Sequence, residues 1–330
     1  GLKQVQAVSG VSVGATDSAV IDASITLVAN ADAETGDFLG NFGAADANGY
    51  AFAVSLNDVR GGATAYIEDA TVTSMAGDIS VTADVTAGIT AKTDVSSTTG
   101  TEGGGWFGGG GASSITGIAA TNVVQSGATA TVTNSDLSTT TSGNVMVDAT
   151  NTAVIDADAI NASRSGGSAI GVTLAFNSIG WAAQNVLFNT IDTIIGNTEI
   201  ADALGANTGA GATAYLLDTE VNAAGAVSVS ATAGAQLTSD AENTSESSAS
   251  GAFDASGLSF GAVVSQNKVS SKADAYIDFS DTYAGLKQVQ AVSGVSVGAT
   301  DSAVIDASIT LVANADAETG DFLGNFGAAD

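Results

Sequence analysis

The 330-residue chain contains no Cys, His or Pro, and only 7 basic side chains stand against 35 acidic ones. Without Cys there is no disulfide framework, thiolate metal site or thiol nucleophile, and without His there is no imidazole base or Ser-His-Asp triad. A formal charge of −28, with Lys and Arg scattered singly, repels phosphate backbones and anionic lipid surfaces. Nucleic acid and membrane insertion are therefore excluded as expected partners. Aromatics make up 5% of the residues, yet 45% of the chain is hydrophobic. That content is too high for a disordered acidic polymer, and it predicts a core of Ala, Val, Ile and Leu in closely spaced layers. No apolar run reaches the 18 or so residues of a membrane helix. No signal peptide opens at Gly1, so the sequence reads as an internal piece of something longer.

One repeat dominates what is present. Residues 1–46 recur without change at 285–330, a period of 284. The chain reads as one full unit, 1–284, followed by the start of an identical one, 285–330. Leaving out the one basic and six acidic residues of the second copy, each unit carries −23. Inside the unit, four modules open near 63, 128, 212 and 273 with ATAYIEDATV, ATATVTNSDL, ATAYLLDTEV and ADAYIDFSDT. A short Gly-containing turn, a long alternating segment, a Gly/Ser loop and a return segment complete each module.

The alternating segments have period two. Ile79, Val81, Ala83, Val85, Ala87, Ile89, Ala91 and Val95 are all odd, whereas Asp78, Ser80, Thr82, Asp84, Thr86, Thr90, Lys92 and Asp94 are all even. This is the pattern of a half-buried strand, and a slip of one residue would turn its apolar set to water. The expected fold is all-β: an elongated tandem-repeat β-solenoid with small residues filling a narrow interior. The alternative is a long-stranded antiparallel meander or sandwich. The solenoid is favoured because modules of unequal length are tolerated when extra residues project as loops. In IGWAAQNVLFNTIDTIIGNTEIADALG, Leu187, Ile191, Ile194 and Ile195 share a helical face, which predicts a small helical insertion around 182–204.

The phrases ATAYIEDATVTSMAGDISVTA, WFGGGGASS and IGWAAQNVLFNTIDTIIG resemble those of giant bacterial surface exoproteins, haemagglutinin- and adhesin-like proteins built from tandem β-strand repeats. The resemblance spans essentially the whole chain. It implies an extracellular or cell-surface location and a role in adhesion, coating or matrix, without a shared catalytic site. Related extracellular repeats bind calcium through a GGxGxDxxx nonapeptide, which is absent here.

Carboxylates are the only candidates for chemistry. Asp156 and Asp158 in VIDADAIN fall on one face of a strand about 7 Å apart, as do Asp32 and Glu34 in NADAETG. Such pairs suit a glycosidase only if their pKa values are tuned, and outward acids are frequent in this pattern, so no enzyme is expected. Acids on stacked strands do attract hard cations, which makes Asp156 and Asp158 the candidate calcium ligands, calcium being the sole candidate cofactor. GTEGGGWFGGGGASS lacks the GK[ST] ending of a phosphate-binding loop. Its Trp106 and Phe107, together with Trp181, are the candidate partner contacts. The expected function is an extracellular structural protein forming a stiff acidic rod, filament or coat, with neighbouring units and like chains as partners. The alternative is an adhesin stalk or glycan-binding module using those aromatics.

Overall fold

A computed structural model describes residues 3–34, 46–102, 111–181, 209–251 and 256–319. The period-two segments are strands, and the chain circulates through three sheets in a fixed order. The first turn comprises β1 (Lys3–Ala7), β2 (Val11–Glu34) and β3 (Ala47–Glu68). The second comprises β4 (Ala70–Ala76), β5 (Ile79–Glu102) and β6 (Ala112–Thr133). The third comprises β7 (Asp136–Ser142), β8 (Val145–Ser165) and a return divided into β9 (Ser168–Ile179) and β10 (Ala210–Leu217). The fourth comprises β11 (Glu220–Ala223), β12 (Val227–Gly251) and the divided return β13 (Leu258–Val269) and β14 (Ser271–Asp278). A fifth turn begins with β15 (Val289–Ala291) and β16 (Val295–Thr319).

Strands of equal rank stack on one another. A short-stranded sheet runs β1-β4-β7-β11-β15, and a long-stranded sheet runs β2-β5-β8-β12-β16. The third sheet runs β13-β9-β6-β10-β14, with β3 paired to β6. Every pairing is parallel. In the long sheet Val11, Ile79, Val145, Val227 and Val295 form one row, and Ile21, Ile89, Ile155, Leu237 and Ile305 form another. The four openers stack likewise, Ala63 and Ala212 on Ala128, and Ala273 on Ala212.

Both expected architectures are corrected. The antiparallel meander fails because all the sheets are parallel. The elongated, narrow solenoid is replaced by a broad enclosure in which one parallel sheet closes nearly into a barrel. Strand length is the physical reason. A 24-residue strand at roughly 3.3 Å per residue runs about 80 Å, whereas five stacked strands span only roughly 20 Å, so the described body is wider than it is tall. The long strands run unbroken through Gly14, Gly88 and Gly234. No helix occurs among the described residues, and the helical insertion expected around 182–204 lies outside them.

Two kinds of corner hold the turns together. Asp69, Asn134 and Asp218, with φ of 50°, 47° and 49°, link the return strand to the short strand. Asp and Asn tolerate this left-handed conformation best among residues bearing a Cβ. Gly77 and Gly143, with φ of 125° and 119°, link the short strand to the long one. A Cβ at Gly143 would lie 2.1 Å from the carbonyl oxygen of Gly77, so stacked glycine corners admit no side chain.

The interior changes character along the strands. Close to the glycine corners it is apolar: Ile79, Val81, Ile89, Val145, Ile155, Val227 and Leu237 are at most 1% exposed. Farther along, Thr93, Ser97, Ser114, Asn122, Asn161, Ser163, Asn243 and Ser245 are buried in its place. Several of them bond across the sheets, Ser163 Oγ donating to Ser114 O at 2.9 Å and Asn243 Nδ2 to Gly171 O at 2.7 Å, whereas Ser97 Oγ and Asn161 Oδ1 find no partner among the described residues. Such bonding is what makes burial of polar side chains tolerable.

Candidate functional site

Stacking brings the outward acids of the long sheet into rows. On β8, Asp158 lies between Lys92 of β5 and Asp240 of β12, while Asp156 lies between Thr90 and Thr238. Partial burial pushes the Asp158 carboxyl above its ordinary range, and the neighbouring charges of Asp156 and Asp240 add to the rise, against the opposing pull of Lys92. Asp240 also accepts a hydrogen bond of 2.6 Å from Ser308 Oγ on the next strand. Among the described residues no three acids converge as a metal cluster would require. Asp32 sits in register with Gly100 rather than with a second acid, and the Glu34 side chain lies outside the described ones.

Of the three aromatics, Trp106 and Phe107 lie outside the described residues. Trp181 follows β9 and is 41% exposed. Its carbonyl accepts from Gln125 Nε2 at 3.3 Å, and Lys268 Nζ lies 5.8 Å from its ring centroid, within cation–π range. It marks the point where the chain leaves the third sheet. Gly180 N donates to Val124 O at 2.8 Å, and Ala210 N donates to Ser270 O at 3.2 Å. The excursion thus departs and returns beside the same rung, and β9 and β10 continue one line along β6.

Two further constellations escape a reading of the sequence alone. The first is an inward ladder of asparagines. Asn57 Nδ2 donates to Asn122 Oδ1, Asn122 Nδ2 to Asn177 Oδ1, and Asn177 Nδ2 to Asn267 Oδ1, each at 2.8 Å. Every turn with a described return strand contributes one residue. The signal was present in the phrases LND, TNV, FNS and QNK, at the same depth of each return segment. The second is apolar and faces outward on β3, where Tyr50, Phe52, Val54 and Leu56 are 53–63% exposed. Phe52 lies over Gly117, where a Cβ would come within 2.7 Å of its ring. Elsewhere on this sheet Tyr215 and Tyr276 stack at 4.8 Å between centroids.

Comparison of the chain with protein-family models, with curated proteins and with solved structures finds no match in any of the three. The geometry therefore carries the functional reading by itself. Its main relationship is between the two copies of the repeated segment. β1 and β15, and likewise β2 and β16, are equivalent strands 284 residues apart, and they form opposite edges of the same two sheets. One unit thus equals four turns.

Proposed function

We propose that the protein is an extracellular structural repeat protein whose units stack through continuous parallel sheets into an acidic filament or surface coat. The observation that carries this reading is the placement of β16. It pairs with β12 from Val295 to Thr319, and it repeats β2, which pairs with β5 from Val11 to Glu34. A strand like β5 therefore fits on β16 by the same register, and the pattern extends by translation. Four turns at about 4.8 Å advance each unit by roughly 19 Å, so about four units are needed before length exceeds the strand-wise width of about 80 Å. A short array is a ribbon or slab, and only a long one is a rod.

Charge supports the same role. At −23 per unit, neighbouring filaments repel at low ionic strength, while the Ser, Thr and Asp exterior of the long sheet stays hydrated. Resemblance to giant surface exoproteins supports an extracellular setting. The test is electron microscopy of chains carrying two, four and six units. A constant increment of about 19 Å per unit supports the filament. Separate globules joined by flexible links would replace it with independent binding modules.

A further inference from the structure

The outward face of the third sheet changes chemistry along its strands. Where the return segments begin, Tyr50, Ile115, Ile170 and Phe260 lie side by side across β3, β6, β9 and β13. Two rows farther on, Val54, Ala119, Leu174 and Val264 do the same, and Phe52 fills the row between by lying over Gly117. The next row ends the stretch with Leu56 and Phe176, joined through Thr121. None of the outward residues in these four rows is charged, in a chain whose formal charge is −28. Charge returns beyond them, where Asp58 pairs with Arg60 at 3.0 Å and Lys268 stands over the Trp181 ring.

This stretch is open. Phe260 and Val264 are 54% and 51% exposed, close to the apolar residues of β3. The inward residues of the same strands, Ala53 and Ala175 among them, pack with Val95 and Ala159 of the long sheet instead. A unit on either side of the chain pairs in the plane of the sheet, so it lengthens the apolar face without covering it. Four rows about 6.6 Å apart on four strands about 4.8 Å apart give a face of roughly 500 Å² per unit. Two such faces together reach about 1,000 Å², the least area that a specific interface needs, and each added unit supplies as much again.

We propose that this face is the docking site for the same face of a second copy of the chain, so that filaments run in pairs. Charge selects the surface. On the long sheet Asp84, Asp156 and Asp240 are exposed, and on the short sheet Asp136 lies beside Glu220, so either surface would set carboxylates against carboxylates in a like pair. The apolar face opposes none. Both copies carry the same rungs and rows, and packed sheets lie about 10 Å apart, so the side chains of one face settle between those of the other. A pairing of identical faces uses each face up and closes at two, leaving the acidic surfaces outward to hold pairs apart. Pairing and stacking fail separately: units can stack at about 19 Å each in filaments that stay single, and single chains can pair without stacking.

Sedimentation velocity of the full chain is expected to show a reversible dimer whose share rises with concentration and with added sodium sulfate, which screens the acids and strengthens apolar burial. V54K/V264K sets lysines on β3 and β13, three strand spacings apart, and is expected to leave only monomers with unchanged β-sheet circular dichroism. Because the lysines lower the net negative charge, a lost dimer reports the face and not general repulsion. T86K/T232K makes the same change of charge at exposed positions of the long sheet and is expected to keep the dimer.

A milder variant guards against misfolding caused by the lysines. V54T/V264T keeps β-branched residues suited to a strand and is expected to raise the dimer dissociation constant at least about tenfold. A monomeric parent means that another part of the chain or a different protein covers the face, and it overturns the proposal. So does a dimer that survives both face variants. In electron micrographs of six-unit chains, doubled filaments for the parent and single ones for V54K/V264K are expected, and single filaments throughout overturn the pairing.

Discussion

Asn122 donates from Nδ2 to Oδ1 of Asn177 at 2.8 Å, while its own Oδ1 accepts from Asn57, so a single buried amide ties three consecutive turns together. A buried polar group is costly when its partner is removed, at about 1–3 kcal/mol for each group left unpaired. Asn122→Ala removes two ladder bonds and leaves the buried Asn177 oxygen without its donor, although Asn57 Nδ2 keeps Ser55 Oγ at 3.2 Å. Asn267→Ala removes only the acceptor at one end, and Asn177 Nδ2 keeps Ser239 Oγ at 2.9 Å. Urea denaturation is therefore expected to show a clearly larger loss for Asn122→Ala than for Asn267→Ala. Equal losses would mean that the ladder contributes packing rather than paired hydrogen bonds.

Strand content and facing were legible in the sequence because alternation states them directly: odd residues from Ile79 to Val95 point inward, as burial of Val81 and Ile89 attests. Strand direction was not legible. A period of two is identical in parallel and antiparallel sheets, and only the stacking of openers such as Ala63 on Ala128 distinguishes them. Breadth was hidden for a related reason, since alternation does not state where a strand ends, and the glycines within it lie in register in unbroken strands, Gly14 against Thr82 and Gly88 against Val154. The asparagine ladder was obscured by unequal loops. Asn177 touches both Asn122 and Asn267 in space, but along the chain it is separated from Asn267 by the segment between Gly180 and Ala210 as well as by a full turn.

Asp158 ties stability to pH. Its folded-state pKa is raised above the ordinary 3.8 by burial and by Asp156 and Asp240. The folded protein therefore holds a proton that the unfolded chain has released across the window between 3.8 and the raised value. Stability from this group is fully present below 3.8 and falls as pH rises through the window. At neutral pH the charged carboxylate is a liability, so Asp158→Asn is expected to raise the melting temperature at pH 7. Below 3.8 both side chains are neutral and the gain should vanish. High salt should shrink the gain only in part, because burial is not screened. A variant less stable than the parent at pH 7 would show that Lys92 outweighs the two acids.

Inward and outward residues on β5 should respond in opposite ways to small changes of polarity. Ile89 is 1% exposed and is stacked between Ile21 and Ile155, so Ile89→Ala removes contacts to the turns below and above. A loss of about 2–5 kcal/mol is expected, the range for truncating a buried aliphatic side chain where neighbours cannot collapse. Ile89→Asp and Val81→Asp place a charge in the apolar half of the interior, where no donor faces it, and should unfold at least the second turn. Asp84 is exposed between Thr16 and Thr150, and Asp84→Asn should change stability by no more than about 0.5 kcal/mol. Guanidinium titrations of the four variants decide the matter. Comparable midpoints for Asp84→Asn and Ile89→Ala would mean that the long strand does not present its odd residues to the core.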